Sequence, residues 1–175
     1  PDEKERAKAL AEYKSKIDAA AKLGVRWARP APGSKKPDMA IHVASLRELS
    51  DYAAQHKIQL IIENNGWMAS DADAIPAVVK AVDRNLGVSP DTGNWKDNVR
   101  YEGLAKAFPL AVSCDFKALT LGPDGSHAAY DLKRCFQIGW DAGFRGPWCI
   151  EHFHDTLPGL LKEFVQIRDM LKRSE

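Results

Sequence analysis

Four acidic residues stand at the ends of short apolar segments in this chain of 175 residues. A buried carboxylate is strongly unfavourable unless it is paired or binds a metal ion. One such acid has many explanations, whereas the same feature in four successive segments indicates a shared site. The acids and their segments are Glu63 in IQLIIEN (58–64), Asp91 in NLGVSPD (85–91), Asp115 in LAVSCDFKAL (110–119) and Glu151 in GPWCIEHF (146–153).

The segments that must position these acids alternate between helical and extended patterns. Short β-branched and apolar runs predict strands, and apolar residues three and four positions apart predict helices. Strict alternation predicts a parallel sheet with right-handed crossovers, which is either a doubly wound sheet or a β/α barrel. The predicted helices are 2–23, 40–56, 72–83, 101–107, 131–142 and 157–172, and the predicted strands are 25–29, 58–64, 85–91, 110–119 and 146–153.

The four acids are expected to converge, because parallel strands bring their carboxyl ends to one edge of the sheet. Alternation places Ser113, Asp115 and Lys117 on one face of their strand. Neighbouring carboxylates raise one another's pKa, and a divalent cation would relieve this repulsion. Ligation by oxygen atoms favours Mn²⁺ or Mg²⁺. The alternative is that each acid only caps the helix that follows it, a role that fits Asp91 best.

Composition narrows the classes of function. The chain has 25 basic and 24 acidic residues, a net charge of +1, which provides no electrostatic footprint for nucleic acid or an anionic membrane. No apolar run is long enough to span a bilayer. Cys114, Cys135 and Cys149 are too scattered for a disulfide scaffold and are expected to be reduced packing residues, which indicates the cytoplasm. Because the sequence starts at Pro1, an N-terminal targeting segment could have been removed.

Several of these segments together resemble one family, the xylose isomerase-like TIM barrels, which include sugar isomerases and ketose 3-epimerases. The matching pieces are LIIEN (60–64), GVSPDTGNW (87–95), CDFK (114–117) and GFRGPWCIEHF (143–153). They cover nearly the whole chain, which is interpreted as a single domain over 1–175. The resemblance implies that the metal ligands are Glu63, Asp91, Asp115 and Glu151. The third ligand is often histidine in this family, so Asp115 is the ligand that departs from the pattern.

The resemblance also implies substrate-binding residues. Asn94 stands where many members have histidine, and it is expected to bind a sugar hydroxyl or orient a ligand. Trp67 and Trp95 lie in loops after liganded strands, where they either stack on a sugar or close the barrel mouth. Arg29 ends the first strand and is expected to contact substrate. Lys117 either stabilises an enolate or a phosphate, or neutralises the acidic rim.

The predicted barrel is incomplete. A full barrel of this kind has eight strands and about 250 residues, whereas this sequence predicts five strands. The resemblance therefore implies strands four to eight, the C-terminal part of an α/β parallel (β/α) TIM barrel. Its two sheet edges, at 25–29 and 148–153, would be unpaired. They are expected to pair with a missing N-terminal barrel part or with a second copy in a homo-oligomer.

The activity that the resemblance implies is isomerisation or epimerisation of a sugar or a small hydroxy-carbonyl compound. The metal would polarise the carbonyl, Glu63 and Glu151 would move a proton on opposite faces of the substrate, and Lys117 is the third catalytic candidate. One alternative is a barrel fragment that binds metal without turnover. A less favoured alternative is a phosphodiesterase resembling endonuclease IV, which requires several metals, more histidines and a basic surface.

Overall fold

The computed structural model describes residues 2–31 and 33–172, and its helices and strands alternate in the predicted order. Two short 3₁₀ helices span Gly66–Ser70 and Phe108–Leu110. The α-helices are α1 (Glu3–Lys22), α2 (Met39–Gln55), α3 (Ala74–Val82), α4 (Arg100–Ala107), α5 (Leu132–Asp141) and α6 (Leu157–Leu171). The strands are β1 (Trp27–Ala28), β2 (Gln59–Ile62), β3 (Leu86–Val88), β4 (Cys114–Lys117) and β5 (Trp148–Glu151).

The strands are parallel and lie side by side in chain order. β1, β2 and β3 form one small sheet, and β4 and β5 form another. Val112 N donates to Val88 O at 2.9 Å and Asp115 N donates to Pro90 O at 3.0 Å, so β4 lies beside β3. A doubly wound sheet reverses its strand order at a switch point. The order found here has no reversal, so the parallel α/β arrangement is of the barrel type.

The gap between the two sheets lies at Pro90. Proline has no N–H group for a strand ladder, and the strand predicted over 85–91 ends at Val88. On the other side of β3, the side chain of Asn64 continues the contact between β2 and β3 past the strand ends, because its Nδ2 donates to Asp91 O at 2.9 Å while Asp91 N donates to its Oδ1 at 2.7 Å. The main chain of Asp91 is therefore held by a side-chain amide.

The hydrophobic core lies between the strands and the helices. Leu60, Ile62 and Phe116 belong to this core and are almost fully buried. Trp148 packs edge-to-face against Phe116, with ring centroids 5.7 Å apart. Because successive strand residues point to opposite faces, the residues between these core positions face the barrel interior. That interior face carries the candidate site.

The cysteines divide between the two faces. Cys114 and Cys135 are buried and free, as expected, and burial raises the pKa of both thiols, that of Cys135 to about 12. Cys149 is free but exposed. The expectation that all three are packing residues is therefore corrected for Cys149, because it alternates with Trp148 and points away from the core.

Only one cysteine of the folded protein is expected to react rapidly with a thiol reagent at about pH 8. The thiolate is the reactive form, and a raised pKa leaves little thiolate on Cys114 and Cys135. Absorbance during reaction with a disulfide reagent would show a fast phase, which Cys149→Ser should abolish. Survival of that phase in Cys149→Ser would contradict the assignment. All three thiols should react in denaturant.

Gly103→Ala is expected to destabilise the fold by about 1–3 kcal/mol, the usual cost of an overpacked core. A methyl group at Gly103 in α4 would lie 2.7 Å from the ring of Trp95, whose exposure is 2%. Alanine normally stabilises a helix relative to glycine. A loss of unfolding free energy would therefore indicate overpacking, and a gain would indicate helix propensity alone. Urea unfolding would measure the change, and Trp95→Phe should reduce the penalty. A more stable Gly103→Ala protein would refute this packing.

The two ends of the strand order are β1 and β5. In the described part of the chain, β1 pairs with β2 and β5 pairs with β4, with no further strand partner for either. Next to β5, helix α6 exposes Leu157, Leu161 and Val165, which recur at helical spacing. No helix within residues 2–31 and 33–172 combines the length and apolar character that a membrane span requires.

Candidate active site

Three of the four predicted acids lie at the carboxyl ends of neighbouring strands, and the fourth, Asp115, lies inside its strand. Glu63 and Asp91 follow β2 and β3, Asp115 lies within β4, and Glu151 is the last residue of β5. Asp91 and Asp115 face each other in a parallel bridge, and Asp115 is in register with Cys149. The fold therefore brings the acids to one rim.

Helix capping explains little of this pattern. Of the four acids, Asp91 does serve a local turn, since its Oδ1 accepts hydrogen bonds from Gly93 N at 2.7 Å and Asn94 N at 2.9 Å. Its other oxygen, Oδ2, lies 2.9 Å from Lys117 Nζ. Four of the helices take their side-chain caps from other residues, namely Asp2, Asp38, Asp131 and Thr156.

Lys117 joins two of the acids. Its Nζ lies 2.9 Å from Asp91 Oδ2 and 3.2 Å from Glu151 Oε2. The contact with Asp91 is an ion pair without hydrogen-bond alignment, because Oδ2 is buried and accepts no well-aligned hydrogen bond. Lys117 Nζ also donates to Asn94 Oδ1 at 2.8 Å, and Asn94 Nδ2 donates to Glu63 Oε1 at 2.6 Å. Asn94 thus connects the lysine to the third acid.

Arg29 joins the remaining pair. Its Nη1 lies 3.0 Å from Glu63 Oε2 and also forms an ion pair with Asp115 Oδ2. Ser89 Oγ donates to the same Asp115 oxygen at 3.2 Å. The side chain of Arg29 is 42% exposed, and that of Glu63 only 9%. Arg29, which directly follows β1, therefore reaches past the ends of β2 and β3 to Asp115 of β4, a contact that no spacing rule in the sequence would indicate.

Glu63 has an acidity suited to proton transfer. Burial raises its pKa to about 7, and the nearby charges of Asp91 and Asp115 act in the same direction while Arg29 opposes them. A carboxyl group whose pKa lies near neutrality can both accept and return a proton at physiological pH. Without a metal ion, the Glu63 carboxyl group can therefore exchange a proton near neutral pH.

A divalent cation fits the chemistry of this donor set. Carboxylates are the preferred ligands of Mn²⁺ and Mg²⁺, and Asp91 Oδ2 is buried without a well-aligned hydrogen bond. In the conformation of the described residues, however, no three acidic, histidine or cysteine side chains form a group that could hold an ion. Arg29 and Lys117 lie between the acids instead. Direct ligation by all four acids therefore requires both cationic side chains to withdraw.

The predicted tryptophans lie outside this network. Trp95 is 2% exposed and belongs to the core, because Gly103 leaves room for its ring. A ring this buried offers no face to a sugar, so the expected substrate contact of Trp95 is corrected to a core position. Trp67 is half-buried, with Lys36 Nζ 5.5 Å from its ring centroid, and its contact with substrate stays a prediction.

Two supporting residues were not predicted. Ser89 lies two positions before Asp91 and donates to Asp115, and Asn64 follows Glu63 and holds the main chain of Asp91. Both are polar residues inside otherwise apolar strand segments. That contrast is the signal that would have identified them, because a buried polar side chain needs a hydrogen-bond partner.

Comparison with known families agrees with this geometry. A family profile described as the xylose isomerase-like TIM barrel matches residues 1–174. The chain belongs to the xylose isomerase-like TIM barrel family. A comparison with curated protein sequences gives no significant match.

Solved structures similar to this family member share its fold. A xylose isomerase domain protein from Planctomyces limnophilus has 23% identity and a TM-score of 0.71, covering 94% of this chain and 66% of the other. A xylose isomerase-like TIM barrel protein from Mycobacterium smegmatis, in complex with magnesium, has 21% identity and a TM-score of 0.70, covering 97% and 69%. At these identities the likeness concerns the fold.

A third similar structure is D-psicose 3-epimerase from Clostridium cellulolyticum H10 with D-tagatose, with 21% identity and a TM-score of 0.71, covering 98% of this chain and 68% of that one. The solved neighbours also include an IOLI protein with a bound zinc atom. Members of this fold group thus include sugar epimerases and proteins solved with a divalent metal. This chain spans about two thirds of the length of these neighbours.

Proposed function

We propose that this chain carries the site of a divalent-metal-dependent isomerase or epimerase for a sugar or a small hydroxy-carbonyl compound. The observation that carries the proposal is the set of four carboxylates that β2 to β5 bring to one rim, joined in pairs by Arg29 and Lys117. Family membership and the sugar epimerases among the solved neighbours support the same class.

The metal would be Mn²⁺ or Mg²⁺, held by Glu63, Asp91, Asp115 and Glu151. When bound, it would polarise the substrate carbonyl as a Lewis acid. The neighbours solved with magnesium and with zinc support a divalent ion without selecting one. Asp115 is the ligand with the strongest competing contacts, since Arg29 and Ser89 both bind its Oδ2.

The proton-transfer roles fall to two glutamates in different surroundings. Glu63 is buried at the rim and has the raised pKa of a general base, at about 7. Glu151 lies two strands beyond Asp91 in the strand order, and its side chain is 50% exposed. These positions let the two groups approach a bound substrate from different sides. Asn94, whose side chain contacts Glu63 and Lys117, would bind a substrate hydroxyl.

The phosphodiesterase alternative receives no support from the nearest histidine. The side chain of His152 is fully buried, and its Nε2 lies 2.6 Å from Glu163 Oε2. Its Nδ1 contacts Ala118 O. His152 therefore ties β5 to α6 and is directed away from the carboxylates. The metal-binding but inactive alternative differs from our proposal only in turnover, so an assay decides between them.

The test is solvent exchange at the carbon next to the carbonyl. The protein would be incubated in D₂O with Mn²⁺ and each of D-psicose, D-tagatose, D-fructose and L-ribulose, which the names of neighbouring structures suggest. Proton NMR would follow both the new epimer and deuterium incorporation. Epimerisation by proton transfer incorporates deuterium, whereas isomerisation by hydride shift does not. If no substrate changes with Mn²⁺ or Mg²⁺ while the metal binds, the inactive alternative is correct.

A further inference from the structure

Two cationic side chains divide the four carboxylates into two pairs. Arg29 lies between Glu63 and Asp115, and Lys117 lies between Asp91 and Glu151. Each cation therefore contacts one acid that follows a strand of the β1–β3 sheet and one acid within the β4–β5 sheet. The cations hold the two halves of the rim together.

The charges of this cluster are unbalanced. Four carboxylates face two cations, so the acids outnumber the cations that neutralise them. Asp91 is fully buried and the Lys117 side chain is 16% exposed, so solvent screens their interaction poorly. The excess of carboxylates favours the binding of a further cation, but the carboxylate oxygens that would bind it already face Arg29 and Lys117.

We infer that Arg29 and Lys117 are positioning residues that take the place of a divalent cation and compete with it for the same carboxylate oxygens. This inference rests on the proposed metal site and deepens it. The two side chains hold the acids in place without a metal and must turn away when one binds. In the metal-free protein, Arg29 and Lys117 are therefore paired with the carboxylates and are not available to bind substrate.

A competing role and a purely supporting role of Arg29 and Lys117 predict opposite changes in metal affinity when either side chain is removed. If Arg29 and Lys117 only kept the carboxylates in position, removing either one would weaken metal binding. If they compete with the metal, removal frees oxygens and metal binding becomes tighter. The sign of the change in affinity therefore separates a competing role from a merely structural one.

The first experiment titrates Mn²⁺ into metal-stripped protein by isothermal calorimetry. Arg29→Gln is expected to bind Mn²⁺ at least about tenfold more tightly than the wild type, and Arg29→Lys, which keeps the charge, should restore weak binding. The matched control is Arg26→Gln. Arg26 lies just before the other end of β1, beside Lys57 and Asn85, so the same loss of charge should change affinity less than about twofold.

The lysine provides an independent second variant, which decides the question if Arg29→Gln lowers the yield of folded protein. Lys117→Met is expected to tighten Mn²⁺ binding in the same way. Its control is Lys106→Met, because Lys106 also bridges two carboxylates, Asp73 and Glu102, each at 2.7 Å, and neither is one of the four proposed ligands. That control should leave Mn²⁺ affinity unchanged.

Each outcome has a definite meaning. Unchanged or weaker Mn²⁺ binding in both Arg29→Gln and Lys117→Met would overturn the inference, even if the wild type proved to be an active epimerase. Tighter binding without any turnover would support it and remove the catalytic proposal. No Mn²⁺ binding by the wild type or by either variant would overturn both.

Discussion

Glu151→Gln is expected to lower turnover by about 10²- to 10⁴-fold, the usual contribution of a general acid–base group, while leaving the fold intact. The Glu151 side chain is 50% exposed and forms an ion pair with Lys117, at 3.2 Å. Glutamine keeps the size of the side chain but removes its negative charge and its ability to carry a proton. The change in unfolding free energy should stay within about 0.5 kcal/mol, as for most exposed positions.

Initial rates of deuterium incorporation and urea unfolding curves would measure the two quantities. The matched control is Glu12→Gln on α1, because Glu12 is also exposed and paired with a lysine, Lys16, at 2.7 Å. It should change neither rate nor stability. Retention of wild-type turnover by Glu151→Gln would remove Glu151 from the mechanism, whatever its effect on metal binding.

Asp91→Ala is expected to have the largest effect on stability, a loss of about 3 kcal/mol. Removing one partner of a buried ion pair leaves an uncompensated charge, which typically costs about 3–5 kcal/mol, and Lys117 keeps one acid, Glu151, to lessen this. The substitution also leaves the N–H groups of Gly93 and Asn94 without their acceptor. Urea unfolding of metal-stripped protein would measure the loss.

Asp91→Asn separates the two contributions. Its remaining carbonyl oxygen can still accept from the turn, so a smaller loss of stability is expected than for alanine. Equal losses for Asn and Ala would assign the whole effect to the charge of Asp91. An alanine variant as stable as the wild type would show that Asp91 is not held as the structure indicates.

Much of the fold follows from local pattern. Alternating helices and strands, the parallel sheet and the placement of Glu63, Asp91, Asp115 and Glu151 at strand ends were all predicted. Local sequence carries this information because strand and helix periodicity are properties of a few consecutive residues. The ends of the strands were less accurate. Pro90 shortened one predicted strand, although its missing N–H group was evident from the sequence.

The details of the site depend on contacts that local sequence does not encode. Arg29 and Asp115 are separated by 86 positions, and their pairing follows from strand order and side-chain length. Trp95 was expected near substrate, but its burial depends on Gly103 in a different element. Lys117 was predicted either to assist chemistry or to neutralise the rim, and its contacts with Asp91 and Glu151 place it between acids.

The side-chain amide of Asn64 connects the positions of two acids, Glu63 and Asp91. Asn64 follows Glu63 directly, and both hydrogen-bonding atoms of its side chain hold the main chain of Asp91. A small rotation of this single side chain would alter the separation of two neighbouring carboxylates at once. A substitution at position 64 would therefore shift Glu63 and Asp91 relative to each other while leaving both acids in the sequence.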